Sequence, residues 1–210
     1  MRSFFNFPKH QYSITFMAIH KIKETLGKTV EDLCIELDEK EKRQDKVLTA
    51  SREAIRLCAR AIRDIHTNDV KLAKKSISDL ETKLEELKSV EKDFEHISKQ
   101  AYQEYAEIKL FFAISQKQKI PTAHELGITT ESYLSGFADC VGELRRALQL
   151  ALKDGNKKDA EYYFEAMNEI YEELMLLKYS KSLVGSLKPK QDMVRGQLEH
   201  ARSEILKFTN

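Results

Sequence analysis

Tryptophan is absent from this 210-residue chain, and proline occurs only 3 times, cysteine 3 and glycine 7. So few helix breakers exclude a loop-rich or collagen-like chain and leave long stretches free to run as uninterrupted helix. The cysteines, Cys34, Cys58 and Cys140, are odd in number and lack CxxC spacing. They argue against a disulfide scaffold or a zinc site and read as buried free thiols in a reducing compartment. No apolar run is long enough to span a membrane. The aromatic-rich N-terminus is broken by Pro8, Lys9 and His10, so it is neither a signal peptide nor a span, and a cytoplasmic protein without membrane contact is expected. A net charge of +1 argues against indiscriminate coating of duplex DNA but allows a local basic wall. What the chain does have is 33% charged and 41% hydrophobic residues, the composition of amphipathic helices.

No segment alternates with the period of a strand, and no linker, repeat or low-complexity tract divides the sequence. The expectation is an all-α protein, a single-domain bundle of six or seven long antiparallel helices over residues 21–210. Residues 1–20 form an N-terminal extension, either disordered or a docking strip for a neighbouring subunit, with Met17 as an alternative start. A first helix or helix pair is expected over 18–66; Thr67 and Asn68 then cap a second helix, with Asp69 in its first turn, that runs to 88, and a third runs over 90–118. Pro121 stops the third helix; Thr129 or Thr130 caps the next, which ends at Gly155. Helices over 157–179 and from Pro189 to 208 complete the chain.

Two segments carry chemistry, QEYAE at 103–107 and YLSGFADCVGELRR at 133–146. At about 100° per residue, Glu104 falls inside the stripe Ile97, Ala101, Ile108 and Phe111, and Glu107 lies between Phe111 and Ile114. On the second segment Leu134, Phe137, Val141, Leu144 and Leu148 share one face. Asp139 and Glu143 lie roughly opposite, beside Gly136, Cys140 and Ala147, whose small size lets another helix approach. Ionised carboxylates in such places are costly unless paired, hydrogen-bonded or metal-bound. A hard cation such as Mg²⁺, which takes oxygen ligands, answers that cost. The competing reading is a solvated acidic pair, of which Glu172 and Glu173 are an example.

The run Leu134-Ser-Gly136-Phe-Ala-Asp139-Cys-Val-Gly142-Glu143-Leu144-Arg-Arg146 resembles the signature of the translin superfamily. The Gln103 to Glu107 segment is similar to the translin-associated factor X branch, in the compact form found in archaea, without the long polar insertion between the two acidic helices. The resemblance runs from about residue 25 onward. It implies a Mg²⁺-dependent endoribonuclease, with Mn²⁺ as an alternative ion. Its implied ligands are Glu104, Glu107 and Asp139, with Glu143 an additional ligand or an orienting group. It also implies an octamer-like homo-oligomeric shell that takes up single-stranded RNA, or single-stranded DNA.

A basic face complements the acids. Arg52, Arg56, Arg60 and Arg63 are spaced four, four and three apart and line one side of the first helix, opposite Leu48, Ile55, Cys58, Ile62 and Ile65. Guanidinium groups so arranged suit a phosphate backbone; Arg145 and Arg146 either extend that wall or bridge subunits. His66, His96, His124 and His200 are isolated in the sequence and read as surface or packing residues. A catalytically silent nucleic-acid-binding protein would keep the basic face but have no use for Glu104 and Glu107 on an apolar stripe. A helical adaptor would need neither.

Overall fold

The computed structural model describes residues 9–209, with side chains from 16 to 208; the first eight residues of the expected extension lie outside the described residues. It is all-α. Among the described residues there are eight helices: α1 Lys9–His66, α2 Val70–Val90, α3 Glu95–Ser115, α4 Ala123–Leu126, α5 Thr130–Lys153, α6 Lys157–Met175, α7 Lys181–Val184 and α8 Leu187–Thr209. Six are long and two, α4 and α7, are single turns. By its internal contacts the chain divides into two units, Met1–Lys46 and Val47–Asn210, with the boundary inside α1. In the first, every residue from Phe16 to Lys46 is exposed. The second holds the core and the site.

Helix ends follow local chemistry. Asp69, not Thr67 or Asn68, caps α2 by accepting from the Leu72 amide at 2.9 Å, because Asn68 is turned into the left-handed region at φ 57°. The third helix starts at Glu95 rather than near residue 90. Asp93 takes φ 72°, and the buried Glu91 carboxylate accepts from the Tyr102 hydroxyl at 2.8 Å and from the Ser98 hydroxyl. Thr122 and Glu125 close a reciprocal capping box on α4, and Thr129 caps α5 as its sequence suggests. Gly155 at φ 72° follows the end of α5. The sixth helix stops at Met175, short of the expected residue 179.

Helix α5 is the centre of the second unit, packed against α3, α6, α7 and α8. Its Val141, Leu144 and Leu148 are buried on one side, and Cys140, Ala147 and Gly136 on another. The C-terminal half of α1 adds Val47, Ala54, Cys58, Ala61 and Ile65 to the same core. Cys58 and Cys140 are buried free thiols, whereas Cys34 is exposed, which corrects the expectation for that residue.

Candidate functional site

Gly136 determines how the acids meet. A Cβ placed there would stand 2.4 Å from the carbonyl oxygen of Gln103, 2.7 Å from Ala106 Cβ and 2.7 Å from the Glu107 amide nitrogen. The backbones of α3 and α5 therefore touch at this point, as only glycine permits. One turn beyond the contact, Asp139 faces Gln103, whose side-chain amide donates to it at 2.6 Å. Glu104, Glu107, Asp139 and Glu143 are all half-buried and lie close enough for their charges to act on one another.

Two of the four are held by basic side chains that the sequence pattern does not single out. Lys190, on α8, places its ammonium 2.6 Å from both carboxylate oxygens of Asp139. His66, the last residue of α1, lies with Nε2 2.6 Å from Glu143 Oε2. Since a carboxylate accepts, that nitrogen carries the proton. His66 is thus not the isolated histidine its sequence context suggests; its ring also packs 4.8 Å from that of Phe111. Arg146 approaches Glu143 at 3.8 Å, and Glu104 accepts from the Gln100 amide at 3.0 Å.

Glu107 is the exception. Among the described residues its carboxylate makes no hydrogen bond and no ion pair. Burial, then the charges of Asp139, Glu143 and Glu104, push its pKa from an ordinary 4.5 up to about 8, against a smaller opposing pull from Lys190. Burial and Asp139 also raise Glu104, against the opposing Gln100 hydrogen bond. Among the described residues no three His, Cys, Asp or Glu side chains converge closely enough in this arrangement to hold a metal ion.

Arg52, Arg56, Arg60 and Arg63 are all exposed, as their spacing predicts. Arg60 lies 3.8 Å from Asp64; the other three make no direct ion pair among the described residues. Arg145 is different. Its guanidinium makes a two-point contact with Glu204 on α8, at 2.5 and 3.3 Å, and donates to Gln197 at 2.9 Å, so it joins α5 to α8. Arg146 remains exposed. Neither Lys190 nor His66 could be found from sequence spacing, since they stand 51 and 77 residues from their partners.

Among the described residues no helix is long and apolar enough to cross a membrane. No family model matches the chain. It is 36% identical over 176 residues to the uncharacterized Methanocaldococcus jannaschii protein MJ0175, covering 82% of this chain and 79% of that one. Of solved structures, the crystal structure of AfC3PO superposes with a TM-score of 0.77 at 30% identity, over 86% of this chain and 96% of the other. AfC3PO in complex with duplex RNA gives 0.75 at 29%, with the same coverage. Apo-NeC3PO gives 0.75 at 24%, over 85% and 96%, a likeness of fold alone. With its all-α architecture, its Gly136 signature helix and these relatives, the chain belongs to the translin/C3PO family.

Proposed function

We propose that this protein is a divalent-metal-dependent endoribonuclease that binds single-stranded or unpaired RNA and cleaves it at the Glu104, Glu107, Asp139 and Glu143 cluster. The observation that carries the reading is Glu107, a half-buried carboxylate with no partner among the described residues and three like charges around it. Such a group is stabilised by a proton or by a cation, and an all-carboxylate donor set suits Mg²⁺ or Mn²⁺ over softer metals. Glu104 and Glu107 from α3 and Asp139 from α5 would hold the ion by drawing closer together than they stand here and releasing Lys190 from Asp139. When bound, it supplies Lewis-acid polarisation of the scissile phosphate and activation of water. His66 fixes the orientation of Glu143 through its ring N–H. The exposed Arg52, Arg56, Arg60 and Arg63 grip the RNA backbone by charge-assisted hydrogen bonds, and Arg146 adds to them; Arg145 is omitted because α8 occupies it. That a relative, AfC3PO, has been crystallised with duplex RNA supports RNA as the class of ligand. Glu104 and Glu107 favour the factor X branch, and the exposed Leu176, Tyr179, Leu183 and Phe208 suit assembly into a homo-oligomeric, octamer-like shell.

One observation favours a second reading, a catalytically silent RNA-binding protein: Lys190 already neutralises Asp139, as a metal would. Cleavage of labelled single-stranded RNA in Mg²⁺ and in EDTA, by the wild type and by folded Glu104→Ala and Asp139→Ala variants, separates the two. Metal-dependent cutting lost in both variants is expected. Tight binding with no cutting in any sample would establish the silent reading.

A further inference from the structure

The arm of α1 within the first unit carries an apolar stripe that nothing among the described residues covers. Ile19, Ile22, Leu26, Val30, Leu33 and Leu37 follow one another at intervals of three, four, four, three and four residues, and each is 51% to 60% exposed. At about 100° per residue these positions fall within a sector of about 80°. The spacing is an eleven-residue repeat taken twice, Ile19-Ile22-Leu26 and Val30-Leu33-Leu37. That period keeps a stripe on one side of a nearly straight helix. Polar groups on the same arm are satisfied locally: Thr25 and Thr29 bond back to carbonyls one turn earlier, and Lys40 pairs with Glu36 at 2.6 Å. Ile35, on the opposite face, is exposed as well, but the six-residue stripe is the continuous apolar surface of the arm among the described residues.

We propose that the arm pairs antiparallel with the same arm of a second copy of this chain, about a two-fold axis level with residue 28. Two features select that occupant and that direction. First, the stripe matches itself when reversed. Ile19 meets Leu37, Ile22 meets Leu33 and Leu26 meets Val30, so every aliphatic position finds an aliphatic partner, as a self-complementary two-fold interface requires. Second, the arm is charge-polarised. Residues 31–39 carry Glu31, Asp32, Glu36, Asp38 and Glu39 and no base, while residues 17–25 carry Lys21 and Lys23 against the single acid Glu24. Antiparallel pairing lays these stretches against each other. Parallel pairing would set the acidic stretch against its own copy, which like-charge repulsion opposes.

The test uses the full-length protein and sedimentation of four forms: wild type, Leu26→Asp, Lys21→Glu/Lys23→Glu, and that pair combined with Glu31→Lys/Asp32→Lys. Circular dichroism confirms that each remains helical. Leu26→Asp removes an aliphatic contact from both copies and should weaken pairing by about a hundredfold. The double reversal should also lower the assembled mass, and the quadruple variant should restore it. In a mixture of isotopically heavy and light chains, zero-length cross-linking should join Lys23 of one copy to Glu31 or Asp32 of another. An unchanged mass in Leu26→Asp would overturn the pairing, as would assembled protein without that inter-copy cross-link. No rescue in the quadruple variant would overturn the direction. Unpaired arms in the wild type would assign the stripe to a different partner. None of these results bears on the acidic site, which lies in the second unit.

Discussion

Substituting Gly136 by alanine adds one methyl group at the contact between α3 and α5. That methyl would stand 2.4 Å from the Gln103 carbonyl oxygen and 2.7 Å from the Glu107 amide nitrogen, both backbone atoms, and 2.7 Å from the Ala106 methyl. Comfortable carbon contacts begin near about 3.5 Å, so the helices must separate by about 1 Å. No side-chain rotation can relieve a clash with backbone. Overpacking costs about 1–3 kcal/mol, and a clash this close belongs at the upper end. Alanine returns about 1 kcal/mol through its helix propensity, leaving a net loss of about 2 kcal/mol. For a chain of this length that corresponds to a fall of about 4–8 °C in Tm. Gly142 supplies the control, because a Cβ there meets nothing within 4 Å. Gly142→Ala should leave Tm unchanged or raise it. Calorimetric melts of the two variants beside the wild type make the comparison. Separating α3 from α5 also moves Glu104 and Glu107 away from Asp139, so divalent-ion affinity should fall in Gly136→Ala alone. A Gly136→Ala protein that melts at or above the wild type would refute the argument that this glycine is required for the close helix contact.

In EDTA, the difference in stability between wild type and Glu107→Gln should depend on pH. An acid raised from 4.5 to about 8 contributes stability that is fully present below its unfolded pKa and lost as pH rises through about 8. The wild type should therefore lose on the order of 5 kcal/mol relative to the variant across that window, and parallel pH-dependent melts would count against the partnerless carboxylate. Lys190→Ala leaves the half-buried Asp139 without its counter-charge and should destabilise the fold by about 1–3 kcal/mol. Mg²⁺ should restore part of that loss; identical melting of the variant with and without Mg²⁺ would speak against a cation site at Asp139. Arg52→Ala/Arg56→Ala should weaken RNA binding and flatten the salt dependence by about 1.4 in slope, at about 0.7 per single-strand phosphate contact. Arg145→Ala should lower Tm through the lost Glu204 contact and leave that slope unchanged, a split that salt titration and melting curves would reveal.

Much of this protein follows from the order of its residues alone. Helical periodicity, the cap at Thr129 and the stop at Gly155 act within one or two turns, so both ends of the signature helix are encoded locally. The half-burial of Glu104, Glu107, Asp139 and Glu143 is legible for the same reason: a 3.6-residue period fixes which face a side chain shares, and those faces are apolar or lined with small residues. The exposure of the four arginines of α1 follows likewise. Smaller boundaries escape the sequence where a single residue takes a left-handed conformation, as at Asn68 and Asp93, because local propensity for that region is weak in side chains other than glycine. What only the tertiary structure decided is the company each acid keeps. Lys190 on Asp139, His66 on Glu143 and Glu204 on Arg145 all join helices far apart in the chain, and nothing in local spacing encodes such pairings. They come from packing α1, α3 and α8 around α5, with Gly136 determining how closely α3 and α5 approach, and that packing also leaves Glu107 as the one carboxylate of the cluster with no partner among the described residues.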